Sequence, residues 1–179
     1  MKSEKSENSA PFSEPAPTVR RLPPLLRRAW YNLNQAFRRR ISHTGLTPDQ
    51  YTILRLLTEG PPEGLTQREL CVRMCSDPNT MASLLSRMEK CGLLGRRTHE
   101  EDRRAHRVSI LPDGENYYRE LREIAMTLQD TIVASIPAKR RDQFLADLEL
   151  IADACQQQVQ GDTGRQKNVG KRRKNSTLG

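Results

Sequence analysis

The sequence lacks any long apolar run, and its amino terminus lacks the apolar stretch of a secretory signal. A membrane span needs roughly 18–20 apolar residues in succession, so no spanning helix is predicted. There is also no glycine-rich phosphate loop, no metal-binding pattern and no convincing nucleophile–base pair. These absences disfavour an enzyme, and we predict neither a cofactor nor a metal site.

Cysteine is scarce, with four residues in 179, and the chain is too long to need disulfides for stability. We therefore expect free thiols in a reducing cytoplasm. Cys71 and Cys75 are four residues apart and are expected to share one face of a helix, where Arg68 and Arg73 could depress a thiol pKa. A thiol redox switch is one interpretation of this pair. Burial as small hydrophobic side chains is the other.

Basic residues outnumber acidic ones, 30 against 22, which gives a formal net charge of +8. This surplus favours a polyanionic partner but does not distinguish DNA, RNA and an anionic membrane. Residues 1–19 are rich in Ser, Glu and Pro and predict a disordered tail. Residues 158–179 are polar and include the basic run 171–174, which predicts a second disordered tail, either merely solvated or a phosphate clamp.

Between the tails, the pattern predicts helices interrupted by one hairpin. Residues 20–46 carry an amphipathic helix, residues 47–111 a compact region, and residues 112–157 two further amphipathic helices. In the compact region, three helix starts are marked by capping residues, namely Thr47-Pro48, Thr66 to Glu69, and Asp77-Pro78. Alternating residues on both sides of a charged connection then predict a hairpin.

Two short capped helices followed by a hairpin form a winged helix-turn-helix. The predicted fold class is therefore mainly α, with a small β-hairpin wing. The second helix of such a pair lies in the major groove of DNA, so its polar residues are DNA-binding candidates: Asn79, Thr80, Ser83 and Arg87. Ordinary helix-start chemistry is the alternative for the first three. The hairpin concentrates arginines suited to the minor groove: Arg96, Arg97, Arg103, Arg104 and Arg107.

The ordered motifs over about residues 20–157 resemble the MarR (multiple antibiotic resistance regulator) family. They are Leu65-Thr66-Gln67-Arg68-Glu69-Leu70, Asn79-Thr80, Leu84-Leu85-x-Arg87-Met88-Glu89-x-x-Gly92-Leu93, Glu101-Asp102-Arg103-Arg104-Ala105, Val108-Ser109 and Pro112-Asp113-Gly114. Arg103 and Arg104 of the wing are candidates for DNA contact, with a solvated loop that pairs them with Glu100 and Glu101 as the alternative. The resemblance implies that Arg104 enters the minor groove while Asp102 braces the wing arginines. It also implies a ligand-responsive transcription regulator, by default a repressor, found in the cytoplasm and on the nucleoid when bound to DNA.

The first helix and the last two carry apolar stripes that a small winged domain cannot cover. We therefore expect a homodimer, in which two recognition helices meet a pseudo-palindromic operator about 34 Å apart. Trp30, Tyr31 and Tyr51 are candidates to line an effector pocket, with core or interface packing as the alternative. The resemblance implies a small aromatic or anionic effector.

The sequence is also compatible with two other functions. A winged helix can serve as a protein-interaction module without specific DNA binding, although such modules typically lose the arginine wing. A thiol-based redox-sensing regulator is the second alternative. Double-stranded RNA is disfavoured because a helix cannot enter the narrow major groove of A-form RNA.

Overall fold

The computed structural model describes residues 21–98 and 106–174. They divide into two compact units, one ending at Tyr118 and the other beginning at Arg119. The first unit holds, in chain order, α1 (Leu22–Arg40), a 3₁₀ turn (Ser42–Thr44), α2 (Pro48–Thr58), β1 (Leu65–Thr66), α3 (Gln67–Arg73), α4 (Pro78–Lys90), β2 (Leu94–Thr98), β3 (His106–Ile110) and the start of α5 (Pro112–Val133). The mainly α fold with a small wing is confirmed.

Side-chain caps mark where α2, α3 and α4 begin. Thr47 and Thr66 each form a capping box with the residue three positions later, Gln50 and Glu69. Asp77 caps α4 by accepting hydrogen bonds from two backbone N–H groups. Gly92, with a positive φ of 70°, follows the end of α4. These local rules reproduce the helix starts predicted from sequence.

The wing is a three-stranded antiparallel sheet in the order β1-β3-β2, where the sequence predicts a two-stranded hairpin. Leu65 pairs with Val108, and Arg96 pairs with Val108 from the other side. The hairpin prediction was incomplete because β1 has two residues and leads directly into α3, which is too short a run to show strand alternation. This third strand joins the base of the wing to the helix pair.

The core of the first unit lies beneath the helix pair and the sheet. Its fully buried side chains come from the α1–α2 region, α2, both helices of the pair and the strands: Ile41, Ile53, Leu54, Leu65, Leu70, Met81, Leu85, Met88, Leu94 and Val108. Burial of such side chains is the main source of stability in a domain of this size. The core therefore fixes α3, α4 and the base of the wing in one rigid arrangement.

The second unit holds the remainder of α5, a 3₁₀ turn (Ala138–Arg140) and α6 (Arg141–Lys174). Arg141 begins α6 and donates from Nε to the carbonyl oxygen of Ile136 at 3.0 Å, which ties the helix start to the preceding turn. The helix continues beyond residue 157, where the sequence predicts the start of a disordered tail. Gly161, Gly164 and Gly170 each disfavour a helix, which is why the local composition of this segment predicted a tail. None of the described helices is long and apolar enough to cross a membrane.

Candidate nucleic-acid interface

Helices α3 and α4 form the helix-turn-helix pair of the first unit. The Gln67 side chain at the start of α3 donates from Nε2 to the carbonyl oxygen of Pro78 at 3.0 Å. Leu70 of α3 and Met81 of α4 are both fully buried. The two helices are thus joined at their amino-terminal ends by a hydrogen bond and by buried apolar side chains, which holds α4 at a defined angle.

The four candidate residues of α4 are all exposed. Asn79, Ser83 and Arg87 follow one another at intervals of four residues, so they lie along one line of the helix surface. The opposite side of α4 is buried and packs into the core through Met81, Leu84, Leu85 and Met88. The fold therefore presents amide, hydroxyl and guanidinium groups on an outward stripe, which are the groups that read base edges and phosphates.

Asp77 occupies the amino terminus of α4. Its Oδ1 accepts the backbone N–H groups of Asn79 and Thr80, each at 3.0 Å. The Thr80 side chain and the Thr80 backbone N–H hold the pKa of the Asp77 carboxyl below its usual value. Free backbone N–H groups at a helix start attract phosphate. At the start of α4, two of these N–H groups already donate to the Asp77 carboxylate. Contacts from α4 to a nucleic acid thus depend on the side chains of the outward stripe.

Three of the wing arginines contact oxygen atoms of the protein itself. Arg96 of β2 pairs through Nε with Glu89 of α4 at 3.1 Å. Two others donate to the loop before β1: Arg97 from Nη2 to the carbonyl oxygen of Glu63 at 2.8 Å, and Arg107 from Nη1 to that of Gly64 at 3.3 Å. Sequence reasoning missed this bracing, since the partners of Arg97 and Arg107 are backbone atoms more than thirty positions away.

The wing tip lies outside the described residues. It contains Asp102, Arg103 and Arg104, the residues predicted to contact DNA or to brace the wing. Strands β2 and β3, which are described, deliver the chain to and from this tip in antiparallel register, with Thr98 opposite His106. The roles of the three residues stay predictions.

Glu69 completes the capping box of α3. Its Oε2 accepts the Thr66 backbone N–H at 2.7 Å and the Thr66 hydroxyl at 2.8 Å. These hydrogen bonds lower the pKa of the Glu69 carboxyl below its usual 4.5. A lowered pKa in the folded state means that this contribution to stability is present above the unfolded pKa and is lost as the pH falls through the folded pKa.

We expect Glu69→Gln to lower the free energy of unfolding at neutral pH by less than about 1 kcal/mol, because Glu69 is largely solvent-exposed. Between about pH 5 and pH 3 the difference from the wild type should shrink towards zero, since protonation removes the same charge from the wild type. Urea unfolding followed by circular dichroism at several pH values measures both free energies. A difference that stays constant over this range would contradict the role of the Glu69 charge.

The three aromatic residues predicted to line an effector pocket have different surroundings. Tyr51 is buried, meets the Phe37 ring edge-on at a centroid distance of 5.0 Å, and stacks on Tyr118 at 6.3 Å. Trp30 and Tyr31 lie on α1 and are 65% and 61% exposed. The structure therefore places Tyr51 in an aromatic cluster of the core, while the other two are surface residues in the single chain. An effector pocket at these residues stays a prediction.

The cysteines of the helix pair do not share one helix. Cys71 is half-buried on α3, which ends at Arg73, and Cys75 is exposed in the turn that follows. Cys75 has a positive φ of 49°, so the chain has left the helical conformation there. The spacing of four suggested a common helix, and this was wrong because α3 is only seven residues long. The redox prediction itself stays a prediction.

Comparison with known proteins finds similarity to the same family over part of the chain. The model of the MarR family matches residues 44–105. A putative transcriptional regulatory protein for the hcr operon of Thauera aromatica is 27% identical over 125 residues, which span 69% of this chain and 74% of that protein.

Solved structures agree with that match. The transcriptional repressor CouR bound to a 23-mer DNA duplex is 26% identical, with a TM-score of 0.65, over 72% of this chain and 89% of CouR. CouR from Rhodococcus jostii RHA1 bound to p-coumaroyl-CoA gives the same identity and coverage with a TM-score of 0.64. Transcriptional regulators rather than enzymes are thus what this chain is similar to.

Proposed function

We propose that this chain, a member of the MarR family of transcriptional regulators, acts as a homodimeric repressor that recognises a pseudo-palindromic operator and releases it when an effector binds. The observation that carries the proposal is the outward stripe of α4. It combines Asn79, Ser83 and Arg87 on a helix that the core and the Gln67–Pro78 hydrogen bond hold in place. A recognition helix needs this combination of exposed polar groups and rigid support.

The wing supports the same proposal. Its base is braced by Arg96, Arg97 and Arg107, so that its strands form a stiff arm beside α4. The two arginines at its tip, Arg103 and Arg104, are then the wing groups assigned to the minor groove, where negative potential attracts guanidinium. Phosphate and minor-groove contacts add affinity, while α4 contributes most of the sequence discrimination.

A second copy of the chain is the proposed partner of α1. This helix exposes five large apolar side chains at helical spacing: Leu22, Leu25, Leu26, Trp30 and Leu33. The second unit exposes a similar set on α5 and α6: Met126, Ile132, Phe144, Leu145 and Leu148. Apolar surface of this extent is typical of a subunit interface. A two-fold axis would then place the two α4 helices about one DNA turn apart.

The effector is proposed to be a small aromatic or anionic molecule, as the p-coumaroyl-CoA complex of CouR suggests for a relative. Its site is proposed near the aromatic residues Trp30, Tyr31 and Tyr51. The proposed place of action is the cytoplasm, at the nucleoid. A protein-interaction module without DNA binding is the competing function, and the arginine wing argues against it.

The contribution of α4 is tested by Asn79→Ala. Asparagine can pair with adenine through two hydrogen bonds, so we expect the free energy of specific binding to weaken by about 1–3 kcal/mol, with little change in binding to random duplex. Fluorescence anisotropy with labelled operator and unlabelled random competitor measures both affinities. Asn32→Ala is the matched control, because Asn32 is an exposed asparagine on α1 whose amide donates to the carbonyl oxygen of Arg28. Equal losses in both variants would contradict the assignment of Asn79.

A further inference from the structure

A shallow groove of about 440 Å³ lies on the helix-turn-helix pair, between the outer face of α3 and the first residue of α4. Two of the residues that line it are Cys71, half-buried on α3, and Cys75, exposed in the turn. Arg68, one helical turn before Cys71, also lines the groove. Two thiols and one cation therefore open onto one surface depression.

The turn after α3 holds the second thiol at this groove. The Cys75 backbone N–H donates to the carbonyl oxygen of Val72 at 3.3 Å, and the Ser76 N–H donates to that of Cys71 at 3.0 Å. The Cys75 Sγ lies 3.9 Å from the same Val72 oxygen. These contacts fold the chain back over the end of α3, so Cys75 faces the same groove as Cys71 although it is outside the helix.

We infer that Cys71 and Cys75 form a two-sulfur binding site for a soft monovalent cation of the Cu(I) class, and that its occupation weakens DNA binding. The second part of this inference rests on the proposed function. Thiolate sulfur is the protein ligand that selects Cu(I). Binding replaces both thiol protons: one M⁺ and two R–SH give a bis-thiolate complex of charge −1 and two H⁺, with no change of oxidation state.

Binding of the cation changes the charge of the groove in the direction that weakens DNA binding. The groove gains one negative charge when the cation binds, because two neutral thiols and one M⁺ become an anionic complex. In a helix-turn-helix the first helix crosses the sugar-phosphate backbone, and here that helix is α3. The new negative charge repels the DNA phosphates. It also pairs with the Arg68 guanidinium, which then binds a DNA phosphate less strongly. Coordination also fixes the turn that leads into α4.

The site is tested with Ag(I), an air-stable probe for the Cu(I) class, in two full-length variants that are matched in cysteine number. One carries Cys91→Ser and Cys155→Ser and retains the groove pair. The other carries Cys71→Ser and Cys75→Ser and retains the two exposed cysteines outside the groove. Native mass spectrometry should show one Ag(I) per chain, with the loss of two protons, in the first variant alone. Equal binding by both variants would overturn the site.

The consequence for DNA is tested in the wild type by anisotropy. One equivalent of Ag(I) should lower the affinity for the operator by about fivefold or more. The variant without Cys71 and Cys75 should not respond. Ag(I) that binds the groove without changing affinity would overturn the regulatory part, as would a response to an organic hydroperoxide with none to Ag(I). If no duplex is bound even without Ag(I), the proposed function fails, while mass spectrometry still decides the site.

Discussion

Replacing Trp30 by glutamate is expected to convert the proposed homodimer into monomers and to weaken operator binding by more than tenfold. The Trp30 side chain is 65% exposed in the single chain and lies within the apolar stripe of α1. Buried tryptophans at interfaces typically contribute at least about 2 kcal/mol, which is about thirtyfold in the dimer dissociation constant. A carboxylate buried in the same place would add a desolvation cost.

The neighbouring residue Tyr31 offers a matched control for this experiment. It is 61% exposed, but the 100° step of an α-helix turns it away from the stripe formed by Leu22, Leu26 and Leu33. Tyr31→Glu should therefore leave the proposed homodimer intact. Sedimentation velocity over a range of concentrations measures the dissociation constants of both variants. Dissociation of both to the same extent, or of neither, would contradict the placement of the interface on this stripe.

Gly64→Ala is expected to destabilise the first unit by about 3 kcal/mol. Gly64 precedes β1 and has a positive φ of 83°, a conformation that side chains with a Cβ rarely adopt. A Cβ built there would stand 2.3 Å from the carbonyl oxygen of Val108 on β3. The Val108 carbonyl oxygen is a backbone atom and cannot move aside as the end of a flexible side chain can. Strands β1 and β3 would therefore have to separate. The loop braced by Arg97 and Arg107 would move with them.

The effect of the close approach can be separated from that of the backbone conformation. Gly45 has a φ of 71°, but a Cβ added there meets nothing within 4 Å. Gly45→Ala should therefore cost about 1 kcal/mol, from the conformation alone. Urea unfolding of both variants gives the two free energies. Similar losses would show that the Gly64–Val108 approach carries no extra cost.

Much of the first unit could be predicted because the residues that start its helices interact with near neighbours in the sequence. Thr47, Thr66 and Asp77 are caps whose partners lie two or three residues away, so the sequence alone locates the starts of α2, α3 and α4. The inward side of α4 follows in the same way from helical spacing. Strand β1 has no such signal, because its two residues become a strand only by pairing with β3.

The features that could not be predicted depend on contacts between residues distant in the sequence, or on the exact length of a short helix. Nothing near Arg97 in the sequence indicates that its guanidinium reaches the Glu63 carbonyl oxygen. From sequence alone, Tyr51 is a candidate for both a ligand pocket and the core. Only the structure shows that its ring packs against the rings of Phe37 and Tyr118. Cys75 leaves the helix of Cys71 because α3 ends early, which spacing alone does not reveal.

Sequence-specific recognition of duplex DNA can be measured with DNA from upstream of the protein's own reading frame. Fluorescence anisotropy at about 0.15 M salt, with excess random competitor, compares this duplex with a scrambled one of equal composition. We expect tight binding to the upstream duplex and at least about a thousandfold weaker binding to the scrambled one. Equal and weak binding to both duplexes would rule out sequence-specific recognition and favour a protein partner instead.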